Sequence, residues 1–389
     1  MAGEKEDNMD YSIFTAEHEA VRKTIRKFVD TELMPHTEQW EKDAYFADWV
    51  FPRMGELGFL SLRYPEKYGG AGGDYFMGLV LAEEMARCCI GGLPMAVAVQ
   101  TDMATPPIMQ FGTEEQKQKY LVPALKGQKV ACLGITEPNA GSDVASIQTR
   151  AVRDGDYWVI NGRKTFITNG VRADFITLVA KTNPDLGYNG VSLFLVDKGT
   201  PGFTVTRKLD KVGMRSSDTA ELLFEDCRVR AENLLGVENR GFHQIMWELQ
   251  GERLIGAAGA VAGAQYTFEK ALAYARQRVQ FGKPLVKLQV IAHRLAEMAT
   301  EIEAARQLVY STARKFAAGE YPVREISMAK LVGGQVSFRV ADMALQIYGG
   351  YGYMMEYDVQ RAWRDSRLYR IGGGTDEIMK EVIAKTMGL

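Results

Sequence analysis

The hydrophobic period of this chain changes twice along its length, and that change limits the folds it can adopt. Across residues 14–125 apolar side chains recur at helical spacing. Across residues 131–229 short β-branched and aromatic runs alternate with turn residues, a pattern typical of strands. From residue 241 onward the helical period returns in longer segments. The order predicts helices, then a β domain, then a helical bundle.

We therefore predict an α+β multidomain chain with three domains. An all-α domain is expected over residues 1–130, a small antiparallel barrel or sandwich over 131–235, and a helical bundle over 236–389. Asn161-Gly162 and Asn169-Gly170 are expected to be hairpin-type turns within the β domain. The C-terminal helices are predicted over residues 241–276, 288–318, 325–347, 359–367 and 376–385.

Charge and cysteine content exclude several classes of protein. The chain has 47 Lys+Arg against 49 Asp+Glu, a net charge of −2, which argues against nucleic acid as a partner. No stretch approaches the roughly 20 apolar residues of a membrane span. The four cysteines and four histidines are scattered, so no metal site is expected. Walker, H-E-x-x-H and G-x-S-x-G motifs are absent, which disfavours most hydrolases and nucleotide-triphosphate enzymes.

The first ten residues, MAGEKEDNMD, are acidic and contain no apolar core or Arg-rich amphipathic run. No export or organelle signal is therefore visible. We expect a protein of the bacterial cytoplasm, with the mitochondrial matrix as the alternative if the numbering is that of a processed chain. The acidic tail is expected to be disordered.

Five segments carry the residue types of a ligand site. Three are rich in glycine and hydroxyl groups, which allow backbone to approach a ring or an anionic group. Each also has a simpler explanation, as an interdomain loop, a packed strand, a basic helix end or a helix cap. The five are ITEPNAGSDVAS (135–146), KTFITNG (164–170), RQRVQFGKPLVKLQ (276–289), QIYGGYGY (346–353) and RIGGGTDEI (370–378).

Taken together and in this order, these segments resemble the acyl-CoA dehydrogenase family. The resemblance covers nearly the whole chain and includes GMRSSDT and the Trp363-Arg364-Asp365 segment. It implies N-terminal helices, a middle β-barrel and a C-terminal four-helix bundle. It also implies noncovalent FAD, removal of an α-proton from an acyl-CoA by a carboxylate, hydride transfer to the flavin, and electron transfer flavoprotein as the acceptor. Homotetramers dominate the family, so a homotetramer is expected.

The resemblance also implies which residues form the site. The residues implied to bind FAD are Leu133, Ile135, Thr136, Gly141, Ser142, Phe166, Ile167, Thr168, Arg278, Phe281, Gln289, Gln346, Gly349, Gly350, Thr375 and Glu377. Those implied to bind the acyl-CoA are Ser142, Leu249, Gln250, Arg253, Gly373 and Gly374. Arg278, Phe281 and Gln289 are expected to reach the diphosphate and adenine end across a subunit interface.

The sequence departs from the commonest family pattern at the catalytic base. Many members carry a Glu in Y-E-G-T, where this chain has Gly373. A Glu beside an Arg on a helix is usually solvated. However, Glu252 in LQGERL resembles the base of the isovaleryl-CoA and long-chain branches, and burial beside an acyl chain would raise its pKa. We therefore predict Glu252 as the base.

The acyl group is less well specified by the sequence. The ending IGGGTDEIMKEVIAK resembles the long-chain branch and also citronellyl-CoA dehydrogenases. Volume left by Gly373 predicts tolerance of a medium, long or branched acyl chain. Two alternatives remain open: an oxidase of the same fold that passes electrons to oxygen, and an acyl-CoA-binding protein with a silent flavin site.

Overall fold

The computed structural model describes residues 13–389, so the acidic tail predicted to be disordered lies outside the described residues. The N-terminal region is built of short helices joined by 3-10 and π turns, and Thr15 caps the first of them. Its helices are α1 (Ala16–Phe28), α2 (Thr37–Asp43), α3 (Val50–Glu56), α4 (Tyr75–Met85), α5 (Gly92–Ala98), α6 (Pro106–Phe111), α7 (Glu114–Gln116) and α8 (Val122–Leu125).

A sheet of eight strands forms the middle of the chain. Its strands are β1 (Ala131–Gly134), β2 (Arg150–Asp154), β3 (Tyr157–Thr168), β4 (Phe175–Lys181), β5 (Val191–Asp197), β6 (Phe203–Lys208), β7 (Thr219–Arg230) and β8 (Leu234–Leu235). They run in the order β6-β7-β3-β2-β4-β5-β8, with β1 beside β4. Most pairs are antiparallel as predicted, whereas β1 and β2 contact β4 in parallel.

Neither Asn-Gly pair forms a predicted hairpin, and both predictions are wrong for a physical reason. Asn161 and Gly162 lie inside β3, at an irregularity in its pairing with β7. There the Asn161 side chain exchanges hydrogen bonds with Asp226, and a Cβ on Gly162 would lie 2.4 Å from Thr149 Oγ1. Asn169 does begin a turn, but the strands on either side of it, β3 and β4, are not paired.

Long helices form the C-terminal region, close to the predicted bounds. They are α9 (Gly241–Gln277), α10 (Gln289–Ala317), α11 (Val323–Tyr348), α12 (Val359–Ser366) and α13 (Asp376–Thr386), with the two-residue strands β9 (Val279–Gln280) and β10 (Lys283–Pro284) after α9. Small residues let α9 and α11 approach closely, since a Cβ on Gly333 would lie only 3.2 Å from the carbonyl oxygen of Ala257. None of the described helices is apolar enough over a sufficient length to cross a membrane.

Gln100 ties the N-terminal helices to the sheet. This buried side chain donates to the carbonyl oxygens of Ala124 and Lys129 and accepts from the amide of Ala131, the first residue of β1. The buried hydroxyl of Thr177 on β4 likewise donates to the carbonyl oxygen of Ala104. These bonds fix the start of β1 and the neighbouring strand β4 relative to the N-terminal helices.

Candidate active site

The Glu252 side chain on α9 points at the loop that precedes α13. A Cβ built on Gly373 would lie 3.1 Å from Glu252 Oε1, so the carboxylate borders the space that a side chain at position 373 would fill. Arg253 Nε donates to the carbonyl oxygen of Gly373 at 2.9 Å, and Lys330 Nζ on α11 donates to that of Gly374. The sequence-predicted residues Glu252, Arg253, Gly373 and Gly374 are therefore together in one place.

The electrostatics around Glu252 suit a base that works near neutral pH. Removal from water raises the pKa of Glu252 to about 7, because burial disfavours its charged form. The cations of Arg253 and Lys330 act in the opposite direction, and the carboxylate of Asp102 adds to the rise. Asp102 lies in a π-helical segment, Val99–Ala104, and is itself paired with Arg63.

Two predicted substrate residues lie on the same stretch of α9 with their side chains largely buried. Leu249 packs in one hydrophobic cluster with Ala140, while Leu133 and Ile135 at the end of β1 border that cluster. Gln250 Nε2 donates to the carbonyl oxygen of Met246. Its Oε1 has no hydrogen-bond partner among the described residues, so it is available to a donor on a ligand.

The end of β3 presents an aromatic ring to solvent. Phe166 has a φ of 61° at a pairing irregularity, and its side chain is 68% exposed. Ile167 is part of the buried core of the sheet, so only its backbone is free to face a ligand, whereas Thr168 is half-buried. Gly141 and Ser142 are exposed in the loop after β1, and Thr136 is half-buried there.

Beneath this surface lies a buried ion pair, Lys164 with Glu137, that the sequence did not predict. The Lys164 side chain is fully buried and donates to Glu137 Oε1 at 2.8 Å. Glu137 also accepts from the backbone amides of Gln148 and Thr149. The pair therefore fixes the loop that carries Gly141. An acidic residue and a lysine 27 positions apart give no sequence signal of such a contact.

A second group of predicted flavin residues lies far from Glu252. Arg278 follows Glu252 by 26 residues, about 39 Å along the axis of α9. Its guanidinium lies 5.4 Å from the centre of the Tyr351 ring, beside the end of α11. Phe281 is 90% exposed. Also exposed in this region are Gln289, Gln346, Gly349 and Gly350. One copy of the chain does not bring this group to Glu252.

Thr375 and Glu377 lie at the start of α13, just beyond Gly374. Thr375 Oγ1 accepts from the amide of Ile378 and so acts as the helix cap that the sequence alone explains. Glu377 is exposed in the first turn, where a backbone hydrogen bond lowers the pKa of its carboxyl group. Within residues 13–389 no cluster of His, Cys, Asp and Glu could hold a metal ion.

The conspicuous Trp363-Arg364-Asp365 segment has a structural role. Buried Asp365 accepts from the backbone amides of Gly91 and Met214, and so joins the start of α5 to the GMRSSDT loop. Arg364 donates to the carbonyl oxygen of Val212 in the same loop. The segment thus connects all three regions of the chain.

Comparison with known proteins agrees with this arrangement over the full length. Three family descriptions match: acyl-CoA dehydrogenase N-terminal domain at residues 15–128, middle domain at 132–227 and C-terminal domain at 239–388. The chain is 42% identical to probable acyl-CoA dehydrogenase YngJ of Bacillus subtilis, over 96% of this chain and 98% of that one. It is 40% identical to the mouse mitochondrial long-chain specific acyl-CoA dehydrogenase, over 96% and 87%.

Solved structures give the same result. An acyl-CoA dehydrogenase from Geobacillus kaustophilus superimposes with a TM-score of 0.94 at 43% identity, covering 97% of this chain and 99% of that one. A FAD complex of PigA has the same fold, with a TM-score of 0.93 at 28% identity, covering 97% and 98%. The fold and site thus define an FAD-dependent oxidoreductase. The chain belongs to the acyl-CoA dehydrogenase family.

The residues present fit FAD. A flat heteroaromatic ring needs an accessible apolar face with polar groups at its edge. The exposed ring of Phe166, the half-buried Thr168 and the open loop at Gly141 provide one at the end of β3. A Cβ on Gly141 would meet no atom within 4 Å, so nothing in the chain occupies that space.

Proposed function

We propose that this protein oxidises an acyl-CoA thioester to the trans-2-enoyl-CoA, with Glu252 as the base that removes the α-proton. The observation that carries the proposal is the Glu252 carboxylate beside the empty side-chain position of Gly373. FAD, held by the residues described above, would supply an acceptor for the β-hydrogen as hydride. Electron transfer flavoprotein is the proposed acceptor of the electrons.

The proposed substrate contacts surround this carboxylate. Arg253 and Lys330 donate to the carbonyl oxygens of Gly373 and Gly374 and so hold this loop beside Glu252. Ser142, Leu249 and Gln250 are the proposed contacts for the rest of the acyl-CoA. Gln250 supports this through its buried amide oxygen that lacks a partner among the described residues.

The proposed flavin contacts divide into two groups that come from different copies of the chain. The ring would contact the first group, and the diphosphate and adenine would contact the second group on a neighbouring subunit. The separation of about 39 Å along α9 supports this division. The first group is Leu133, Ile135, Thr136, Gly141, Ser142, Phe166, Ile167, Thr168, Thr375 and Glu377; the second is Arg278, Phe281, Gln289, Gln346, Gly349 and Gly350.

A homotetramer is the proposed assembly. Support comes from large apolar side chains that are exposed around the second group, including Phe281, Tyr353 and Met355. A monomer seldom exposes such a set without a partner. Bacterial cytoplasm as the compartment, with the mitochondrial matrix as the alternative, stays a prediction.

A small cavity beside α9 lies in the direction that a medium or long acyl chain would take. It has a volume of about 70 Å³ and is lined by Gly259 and Gly263, among others. These positions follow Glu252 by two and three helical turns, so they share its face of α9. At Gly256, between them and Glu252, a Cβ would meet no atom within 4 Å. An acyl chain that runs from Glu252 along this face of α9 would reach the cavity with its far end.

An anaerobic titration of the holoenzyme with acyl-CoAs tests the proposed reaction. Straight chains from short to long are compared with isovaleryl-CoA and citronellyl-CoA, and bleaching of the oxidised flavin band is followed. We expect bleaching, fastest with medium, long or branched chains. Glu252→Gln should keep the flavin and lose about 10²–10⁴-fold in rate, the usual contribution of a general base.

Glu297→Gln, at an exposed position on α10, is the matched control and should bleach like the wild type. Full bleaching by Glu252→Gln would contradict Glu252 as the base. Bound flavin that no thioester reduces would favour the silent site, and rapid reoxidation by air in the presence of product would favour the oxidase.

Tolerance of branched chains is tested separately with Gly373→Glu. The new side chain would fill the space beside Glu252 and begin from a residue whose φ is 65°. We expect a larger loss of turnover with branched than with straight acyl-CoAs. Gly373→Ala, which has the same backbone strain but little bulk, is the control. Equal losses with both substrate classes would contradict the proposed role of the open space.

A further inference from the structure

One helical turn before Glu252 lies a second glutamate to which the mechanism above gives no role. Glu248 is only 2% exposed, and the spacing of four residues places it on the same face of α9. Within residues 13–389 neither of its carboxylate oxygens accepts a hydrogen bond from an amide, hydroxyl or cationic group. An ionised carboxylate buried without donors is costly. Glu248 therefore needs a partner or a proton.

The partner within reach is Glu252. The carboxyl groups of Glu248 and Glu252 are close enough for a side-chain hydrogen bond, which two ionised carboxylates cannot make. One of the two must hold a proton. Glu248 is the more deeply buried, whereas Glu252 borders the half-buried loop at Gly373. Burial raises the pKa of Glu248 well above its usual range and that of Glu252 only to about 7.

The charges that surround the pair favour the same assignment. On α9, the cation of Arg253 stabilises the charged form of both glutamates, whereas Lys330 on α11 stabilises that of Glu252. From the π-helical segment, Asp102 disfavours the charge on both glutamates, and Arg63 is occupied by its ion pair with Asp102. Above about pH 7 the pair as a whole therefore carries one negative charge, located on Glu252.

We propose that Glu248 is a positioning residue that retains a proton and donates it in a hydrogen bond to the Glu252 carboxylate. The bond fixes the direction of the base and stabilises it as an anion before the α-proton is taken. When Glu252 takes that proton, the pair holds two protons, and one returns to solvent after the enoyl product leaves. This inference rests on the proposed function of Glu252.

The test is the pH profile of flavin reduction in three holoenzymes at saturating acyl-CoA. Glu248→Gln keeps a neutral donor, so its inflection should remain at the wild-type pH. Glu248→Leu removes the donor, and its inflection should move upward by about one to two pH units, which corresponds to one hydrogen bond to a charged group. At pH 7 the leucine variant should be slower by about 5- to 50-fold, and it should recover in alkaline buffer.

An unmoved inflection in Glu248→Leu, or equal shifts in both variants, would overturn the inference. If Glu248→Leu does not bind flavin, Glu248→Met replaces it. Infrared difference spectra give an independent readout: the wild type at pH 8 should show a protonated carboxylic acid that is missing in Glu248→Gln. Its absence from the wild type would also overturn the inference. Failure of the proposed function itself is distinct, because it would appear as normal turnover in Glu252→Gln.

Discussion

Each of two glutamates in this molecule lies near a different buried lysine, yet the pKa values of the two glutamates move in opposite directions. Glu137 in the middle region accepts from Lys164 and from two backbone amides, and these donors lower the pKa of its carboxyl group despite burial. Glu252 has an acid as its neighbour, and burial raises its pKa to about 7. The supply of donors, more than burial, separates a structural carboxylate from one able to take a proton.

The largest expected effect comes from removing the carboxylate of Glu137 from its ion pair with Lys164. Glu137→Gln leaves the fully buried Lys164 without a counter-charge, which typically costs about 3–5 kcal/mol. We expect a clear fall in thermal midpoint and loss of FAD on purification. The double variant Glu137→Gln with Lys164→Met should recover part of the stability. If Glu137→Gln alone were as stable as the wild type, Glu137 would not have the structural role that separates it from Glu252.

The pH dependence of flavin reduction in the wild type is the next largest effect. Protonated Glu252 cannot accept the α-proton, so the rate should rise tenfold per pH unit below about 7 and level off above it. Glu137 should contribute nothing in this range, because its pKa is lowered and it loses its charge only in acid. Stopped-flow bleaching from pH 5.5 to 9 measures the profile, and a flat profile would contradict the assignment of Glu252.

The smallest expected effect concerns the cation beside Glu252. Lys330→Met removes a positive charge that favours ionised Glu252 and a donor to Gly374. The inflection should therefore move upward, by less than one pH unit, since such a pair contributes about 0.2–1 kcal/mol. Lys380→Met, an exposed lysine on α13, is the control. A downward shift would mean that Lys330 acts on another group.

Long elements were predictable from sequence because their period repeats over many residues. The helix predicted over 241–276 is observed as Gly241–Gln277, and the family was recognised from motifs that lie in loops and helix ends. The prediction of a hairpin at Asn161-Gly162 was wrong because tertiary pairing with β7, through Asp226, overrides the local turn preference. Short-range turn signals do not report such contacts.

The candidate base was found through the resemblance, whereas its surroundings were not. Glu248 has the ordinary sequence appearance of a charged residue on a helix, and only the packed structure shows that it is buried beside Glu252. Asp102 and Lys330 come from distant parts of the chain, so no spacing links them to α9. The resemblance implied that Arg278, Phe281 and Gln289 reach FAD across a subunit interface, and the length of α9 supplies a physical reason for that proposal.

The length of α9 makes retention of the cofactor a question of protein concentration. With the proposed flavin contacts about 39 Å apart along one helix, a separated subunit would provide only half of the residues proposed to bind FAD. Dilution that dissociates the proposed assembly should therefore release the cofactor by mass action. Dilute preparations would then lose specific activity over time, and added FAD together with concentrated protein would restore it.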